Sequence, residues 1–339
     1  MSGTPEISIV IVNWNTCELL RNCLRSQKAD LESGLCEVIV VDNGSVDGSA
    51  GMVAAEFPSV RLIANADNRG FTAATNQGHA IARGVYVLML NSDTELIDPA
   101  ALRSCRDFLE ANPDVGVLGC RVVYPDGSPQ NSYFRFPDLR TVFFQASFLQ
   151  QLFPRSRLCN GDRYGLEIFT EPRDVDCVMG GFMMLRKRAI PSSPLLDEGY
   201  FMYAEEADLC YRLKSGGWRV VFYPGATVSH HHQASSGRNP RTAAWAYEAK
   251  QRGRLRFIRK WRGPVAAYFA NLLILLALLP RVLGWLATDA IAALRSSRKF
   301  EPRGLLKARS LRFHSAVLFQ PSRLYGSWAP AALDPSRRA

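Results

Sequence analysis

The 339-residue chain lacks any paired cysteine motif: Cys17, Cys23, Cys36, Cys105, Cys120, Cys159, Cys177 and Cys210 are dispersed, with no Cys-x-x-Cys pair. A disulfide framework is therefore not expected, and the thiols read as reduced and mostly packed, as in a cytosolic protein. A secretory signal is not expected either, because Met1 to Glu6 has no basic residue and the first apolar run is strand-like. Internal repeats and extended low-complexity segments are absent, which sets aside repeat architectures. No nucleic-acid-binding motif accompanies the net charge of +10, so nucleic acid is not the expected partner.

What is present is unevenly spread. Residues 250–339 carry 18 Lys and Arg against 3 Asp and Glu, whereas residues 1–249 carry 23 against 28. The excess positive charge belongs to the tail. At 47% hydrophobic content the chain is long enough for one α/β domain with a further segment, and the charge shift divides it into 1–249 and 250–339.

Three β-branched runs of buried-strand type end on polar residues. Ile7 to Val12 stops at Asn13-Trp-Asn15, Glu37 to Val41 stops at Asp42-Asn-Gly-Ser45, and Gly84 to Leu90 stops at Asn91-Ser-Asp-Thr94. Amphipathic stretches lie between and after them, at Thr16–Gln27, Ser49–Phe57 and Thr72–Arg83, so a mostly parallel sheet flanked by helices is expected. Ligands of open α/β sheets bind at the carboxyl edge, where these polar groups gather. After Leu118–Tyr124 a turn at Pro125-Asp-Gly127 opens an irregular region to about Arg173, read as loops with a small antiparallel addition over the site.

The segment Tyr200–Trp218 holds Glu205, Glu206 and Asp208 between aromatics and a Gly-Gly turn. On the residues alone these acids suit the first turn of a helix. A carboxylate beside apolar rings is equally how a general base is tuned.

In order, Asn13-Trp-Asn15, Val41 to Ser49, Asn68 to Gly78, Leu90 to Thr94, Gly180-Gly181 and Tyr203 to Cys210 resemble the motifs of a family 2 glycosyltransferase. The chain is most similar to the bacterial rhamnosyltransferase-like branch, over about Ile7 to His232. The resemblance implies a GT-A fold, a nucleoside-diphosphate sugar donor, inversion at the anomeric carbon and a divalent ion, Mg²⁺ or Mn²⁺. It implies that Asp42 binds the donor base and that Asn13 and Asn15 line the nucleotide pocket. Asn68, Arg69, Gly70 and Asn76 would hold the donor's sugar and ribose, and Gly181 would let backbone approach sugar or acceptor. Asp93 matches the last carboxylate of the metal-binding triplet, which here is Asn91-Ser92-Asp93, with an amide in first place. A histidine after the Val220–Tyr223 strand would complete the metal shell or contact the diphosphate, His230 first and His231 or His232 as alternatives. Glu206 matches the general base, Glu205 is its rival, and Asp208 would order the helix or bind acceptor, with Arg212 one turn on.

The tail contains Gly263–Pro280 without a charge, flanked by Arg254, Arg256, Arg259, Lys260, Arg262 and Arg281. Positive charge at both ends favours an interfacial helix or a re-entrant hairpin broken at Pro280 over a single crossing, with a second apolar helix over Arg281–Leu294. The other reading is a helical cap on the catalytic domain. The expected activity is transfer of a sugar, rhamnose first, to a polyprenyl-diphosphate-linked or other envelope glycan on the cytoplasmic face of the membrane. The alternatives are a uridine-diphosphate sugar donor, a nucleotidyltransferase and a noncatalytic sugar-binding protein. A nucleotidyltransferase calls for a glycine- and basic-rich phosphate loop after the first strand, and Asn13-Trp-Asn15 is not one.

Overall fold

The computed structural model describes residues 4–147, 149–153, 156, 158–160, 169–190, 194–231, 240–295 and 311–318. The described chain runs β1 (Ile7–Asn13), α1 (Cys17–Ser26), α2 (Lys28–Glu32), β2 (Cys36–Asp42), α3 (Ser49–Glu56), β3 (Arg61–Ala64), α4 (Phe71–Ala80), β4 (Tyr86–Asn91) and β5 (Thr94–Glu95). It continues with α5 (Ala101–Ala111), β6 (Val115–Val123), β7 (Pro129–Gln130), β8 (Tyr133–Phe134), α6 (Leu139–Ala146), α7 (Leu149–Leu152), β9 (Arg173–Asp174), β10 (Cys177–Val178) and β11 (Phe182–Arg186). The last elements are α8 (Glu205–Ser215), β12 (Arg219–His230), α9 (Pro240–Arg262) and α10 (Pro264–Arg295).

The main sheet has the order β3-β2-β1-β4-β11-β6-β12-β5. Its first four strands are parallel, while β11 enters antiparallel between β4 and β6, and β12 runs parallel to β6. Helices cover both faces, which is why β1 reads as an uninterrupted apolar run. Ile7, Ile9 and Ile11 pack into the layer that holds Leu20 and Leu102, and Val10 packs into the layer that holds Ala74. Register sets the working edge: Asn13 lies opposite Asp42, and Val12 opposite Asn91, so β1, β2 and β4 end together.

Two compact units result, one over 4–136 and 169–231, the other over 137–160 and 240–318. This differs from the expected boundary at 249/250, which falls inside α9, a continuous helix with Leu255, Phe257 and Ile258 buried. Part of the irregular region goes with the tail. There α6 was not expected; a capping box, in which Asp138 accepts from the Thr141 N–H and Thr141 Oγ1 answers the Asp138 N–H, starts that helix.

In the second unit α10 packs against α9 and α6. Ala267, Ala270, Asn271, Ile274, Ala277 and Leu278 form its buried face, and Val265, Tyr268, Phe269, Leu276, Leu279 and Leu283 stand exposed. Pro280 does not break the helix as expected. It removes one N–H bond, a cost of about 3 kcal/mol in a helix interior, and the apolar sequence on both sides carries the helix on. Among the described residues the stretch Trp245–Pro280, which runs from α9 into α10, is long and apolar enough by length and composition to cross a membrane, and 33% of its apolar window is buried.

Candidate active site

The β1 and β2 ends form an amide-rich corner. Asn13 Nδ2 donates to Asp42 Oδ1 (2.8 Å) and Ser45 Oγ (3.2 Å), and the Ser45 N–H returns to Asp42 Oδ2 (3.0 Å). Asn15, at φ +54°, accepts on its Oδ1 from the Val46 N–H (2.8 Å) and donates its own N–H to Ser45 Oγ (2.9 Å). Asn43 ties the next loop in: its Nδ2 donates to Asn68 Oδ1 (3.0 Å) and the Gly70 carbonyl (3.1 Å), while its Oδ1 accepts from Asn65 Nδ2 and the Arg69 N–H (3.1 Å each). The corner is thus a closed set of side-chain bonds that shapes two loops.

Gly70 follows at φ +89°, where a Cβ would lie 2.8 Å from the Phe201 ring and 2.9 Å from its carbonyl. Only glycine fits there, and the Phe71 N–H bonds to the Phe201 carbonyl (2.8 Å). The loop before α4 is thereby fastened to the segment preceding α8. Arg69 is exposed. Asn76, expected at the donor sugar, is placed otherwise: its amide donates to the Leu196 carbonyl and Glu198 Oε1 (3.0 Å each) and accepts from the Leu196 N–H (2.9 Å). It is a clamp on the Leu196–Glu198 segment, because that half-buried amide is spent on the Leu196 backbone, 120 residues away, and on the Glu198 side chain.

Between β4 and β5 the triplet Asn91-Ser92-Asp93 bends at the sheet edge. The Asn91 N–H and Thr94 Oγ1 both donate to the Gly181 carbonyl (3.2 and 3.3 Å). Since β12 pairs with β5 with His230 opposite Thr94, the imidazole reaches the triplet: Nε2 is 3.3 Å from Asn91 Nδ2 and 3.2 Å from Asp93 Oδ1. His231 turns instead to Glu95 (3.2 Å), and His232 lies outside the described residues. The 3.2 Å between the Asp93 oxygen and the His230 nitrogen is close to the ~3.0 Å that separates neighbouring ligands of an octahedral ion with ~2.1 Å bonds. A carboxylate oxygen with an imidazole nitrogen suits Mn²⁺, and Mg²⁺ mainly through the carboxylate. Among the described residues no group of three His, Cys, Asp or Glu side chains converges on one point. Such a pair fits an ion whose remaining positions are taken by diphosphate oxygens and water.

Gly180 and Gly181 connect this pair to the acids. A Cβ on Gly181 would lie 3.3 Å from Asn91 Nδ2 and 3.7 Å from His230 Cε1, and one on Gly180 would lie 3.8 Å from the Glu206 Cβ. Tyr203 and Ala204 are both left-handed, at φ +74° and +70°, and such non-glycine residues cost about 1–2 kcal/mol each. α8 begins directly after them, with Glu205, Glu206 and Asp208 in its first turn. Glu205 is buried, and its Oε2 has no hydrogen-bond partner among the described residues. Burial, and then the charge of Glu206, hold its carboxyl well above the usual carboxylate range. Glu206 is half-buried. Asp208 is fully buried and accepts from Arg212 Nε (3.2 Å) and the Tyr200 hydroxyl (3.4 Å). Both contacts tie α8 to the segment that precedes it and to its own next turn.

The glycosyl transferase family 2 model matches residues 8–191. The chain belongs to that family. The matched stretch contains Asn13, Asp42, Asp93 and Gly181 and ends before Glu205 and His230. An N-acetylglucosaminyl-diphospho-decaprenol L-rhamnosyltransferase of Mycobacterium tuberculosis is 30% identical over 248 residues, 70% of this chain and 80% of the relative. The O-antigen biosynthesis protein RfbC of Myxococcus xanthus is 26% identical over 79% of this chain and 20% of its own length. Among solved structures, the mannosyltransferase PcManGT from Pyrobaculum calidifontis, in complex with GDP-Man and Mn²⁺, superposes with a TM-score of 0.52 at 16% identity, covering 94% of this chain and 88% of that one. The fold is GT-A, and this family 2 glycosyltransferase is of the rhamnosyltransferase-like kind. That excludes the nucleotidyltransferase and sugar-binding alternatives.

Sequence reasoning missed Ser45, Asn43, Phe201 and Gln130, whose contacts shape the site. Ser45 and Asn43 stood inside the Asp42-Asn-Gly-Ser turn, where short polar side chains bond nearby backbone. Gln130 gave no signal, being half of a two-residue strand in an irregular stretch.

Proposed function

We propose that this glycosyltransferase moves a sugar, with deoxythymidine-diphosphate rhamnose the leading donor, to a polyprenyl-diphosphate-linked glycan, inverting the anomeric centre with Mg²⁺ or Mn²⁺ bound. The observation that carries this reading is the Gly180-Gly181 link, which sets the Asp93–His230 pair and Glu206 on either side of one backbone turn. Leaving-group stabilisation and a base are the two groups that a single displacement needs, on opposite sides of the reacting carbon. The similarity to a relative named for a diphospho-decaprenol acceptor supports the acceptor class.

In this mechanism the Asn13–Asp42–Ser45 corner receives the base and ribose, with Asn15 and Asn68 shaping its walls and Arg69 within the same loop for a phosphate. Asp93 and His230 would hold the ion, which supplies charge neutralisation at the departing diphosphate. Glu206 takes the proton of the acceptor hydroxyl as its oxygen bonds to the anomeric carbon and the bond to the diphosphate breaks.

The exposed apolar stripe of α10 and the cationic end of α9 at Arg259, Lys260 and Arg262 support a seat on the cytoplasmic membrane surface. One experiment tests donor, metal and membrane together: nucleotide sugars are screened with prenyl-diphosphate-linked acceptor in anionic vesicles, with and without chelator, for wild type and Asp93→Ala. Transfer from deoxythymidine-diphosphate rhamnose, lost with chelator and reduced about 1,000-fold or more in Asp93→Ala, is the expected result for several kcal/mol of lost charge stabilisation. The protein should also sediment with the vesicles. Transfer untouched by both chelator and substitution would sink the metal reading.

A further inference from the structure

We infer that Gln130 is a positioning residue that fixes which ring nitrogen of His230 faces the Asp93 carboxylate, and so prepares the metal pair before any ion arrives. The inference rests on the metal reading above and on three observations.

Gln130 is buried and lies in β7, paired with β6 so that it stands opposite Val122. Its side chain grips His230 twice: Nε2 donates to the His230 backbone carbonyl (2.9 Å), and Oε1 is 2.8 Å from His230 Nδ1. The first contact decides the second. A carbonyl oxygen only accepts, so the amide nitrogen must point to it and the amide oxygen must point to the ring. An amide oxygen also only accepts, so Nδ1 must carry a hydrogen. In the neutral imidazole this leaves the lone pair on Nε2, the nitrogen 3.2 Å from Asp93 Oδ1 and 3.3 Å from the Asn91 amide.

Without that grip the ring could place its hydrogen on Nε2 or turn its other edge to the triplet. A ligating histidine is usually held in this way by a partner on its second nitrogen, and loss of such a partner typically costs about 10–100-fold in metal affinity or activity. The backbone bond has a separate effect, tying the last residue of β12 to the β6–β7 hairpin. Gln130 therefore sets the tautomer with one atom and the ring's location with the other.

The test separates those atoms. In wild type without metal, ¹⁵N–¹H spectra of the neutral His230 imidazole should show the hydrogen on Nδ1; a ring protonated on Nε2 would overturn the proposal without any variant. Mn²⁺ binding is then titrated by electron paramagnetic resonance with deoxythymidine diphosphate present and no acceptor. Gln130→Leu should weaken Mn²⁺ by about 10–100-fold while affinity for the nucleotide alone is kept. Gln130→Glu retains an acceptor for Nδ1–H while it loses the backbone bond and adds a carboxylate, so its Mn²⁺ affinity should clearly exceed that of Gln130→Leu. Equal losses in both variants would assign Gln130 a packing role only, and wild-type affinity in Gln130→Leu would dismiss it altogether.

Discussion

At the β1–β2 corner Asn13, Asp42, Asn43, Ser45 and Asn68 bond to one another, and none has a buried side-chain atom without a partner. Around the α8 start, Glu205 keeps a buried oxygen with no partner among the described residues, directly after two left-handed residues. The first region closes its polar groups on themselves and so holds a shape for a ligand that brings its own hydrogen bonds. The second retains cost, as functional sites commonly do. Removing a side chain should therefore act on stability and donor affinity in the corner, and on rate at the helix start.

The sharpest way to break this contrast is Glu206→Gln, which keeps size and hydrogen bonding but cannot take a proton. Transfer in a single turnover should fall by about 100-fold or more, the scale of a lost general base, while donor and Mn²⁺ still bind. Glu205→Gln should lose far less, because burial holds the carboxyl it replaces well above the usual carboxylate range. If Glu205→Gln is the dead variant and Glu206→Gln turns over normally, the base is the neighbouring residue and the assignment is off by one.

Asn13→Ala tests the other half. It removes the donor to Asp42 Oδ1 and Ser45 and the acceptor of the Thr16 hydroxyl, leaving buried partners unpaired at a cost of about 1–3 kcal/mol. Chemical denaturation should show that loss, and the donor KM should rise with kcat less affected. A variant as stable as wild type with only kcat reduced would erase the distinction between the two regions.

The same contrast explains what could be read beforehand. β1, β2 and β4 were legible because strands buried on both faces are continuous apolar runs, and their polar ends named Asn13, Asp42 and Asp93 at once. Glu205 and Glu206 were legible as a pair, but not as unequal, since the inequality comes from burial that the sequence does not display. Gln130 was invisible because its role depends on the meeting of β7 with the end of β12 across 100 residues. Asn76 misled for the same reason: an amide one turn into a helix after a glycine looks ready for a sugar, and only the fold shows Leu196 and Glu198 occupying it. Charge changes near Lys250, inside a helix that begins at Pro240, so charge alone does not mark where the units part.

The smallest effect is the most specific to the helix start. The folded-state pKa of Glu205 is raised from an ordinary value of 4.5 by burial and then by Glu206, so the folded protein holds this proton more tightly than the unfolded chain does. The associated stability is fully present below pH 4.5 and is lost progressively as pH rises from there through the raised folded value. Glu205→Gln cannot ionise and removes that loss. The melting temperature of Glu205→Gln relative to wild type should therefore climb between pH 5 and pH 8, by about 2–4 °C for each kcal/mol in a domain of this size. Adding Glu206→Gln should shrink the climb, because the charge that helps to raise Glu205 is then gone. A difference between Glu205→Gln and wild type that stays flat with pH would mean that Glu205 ionises freely, and the two glutamates would no longer be distinguished by their surroundings.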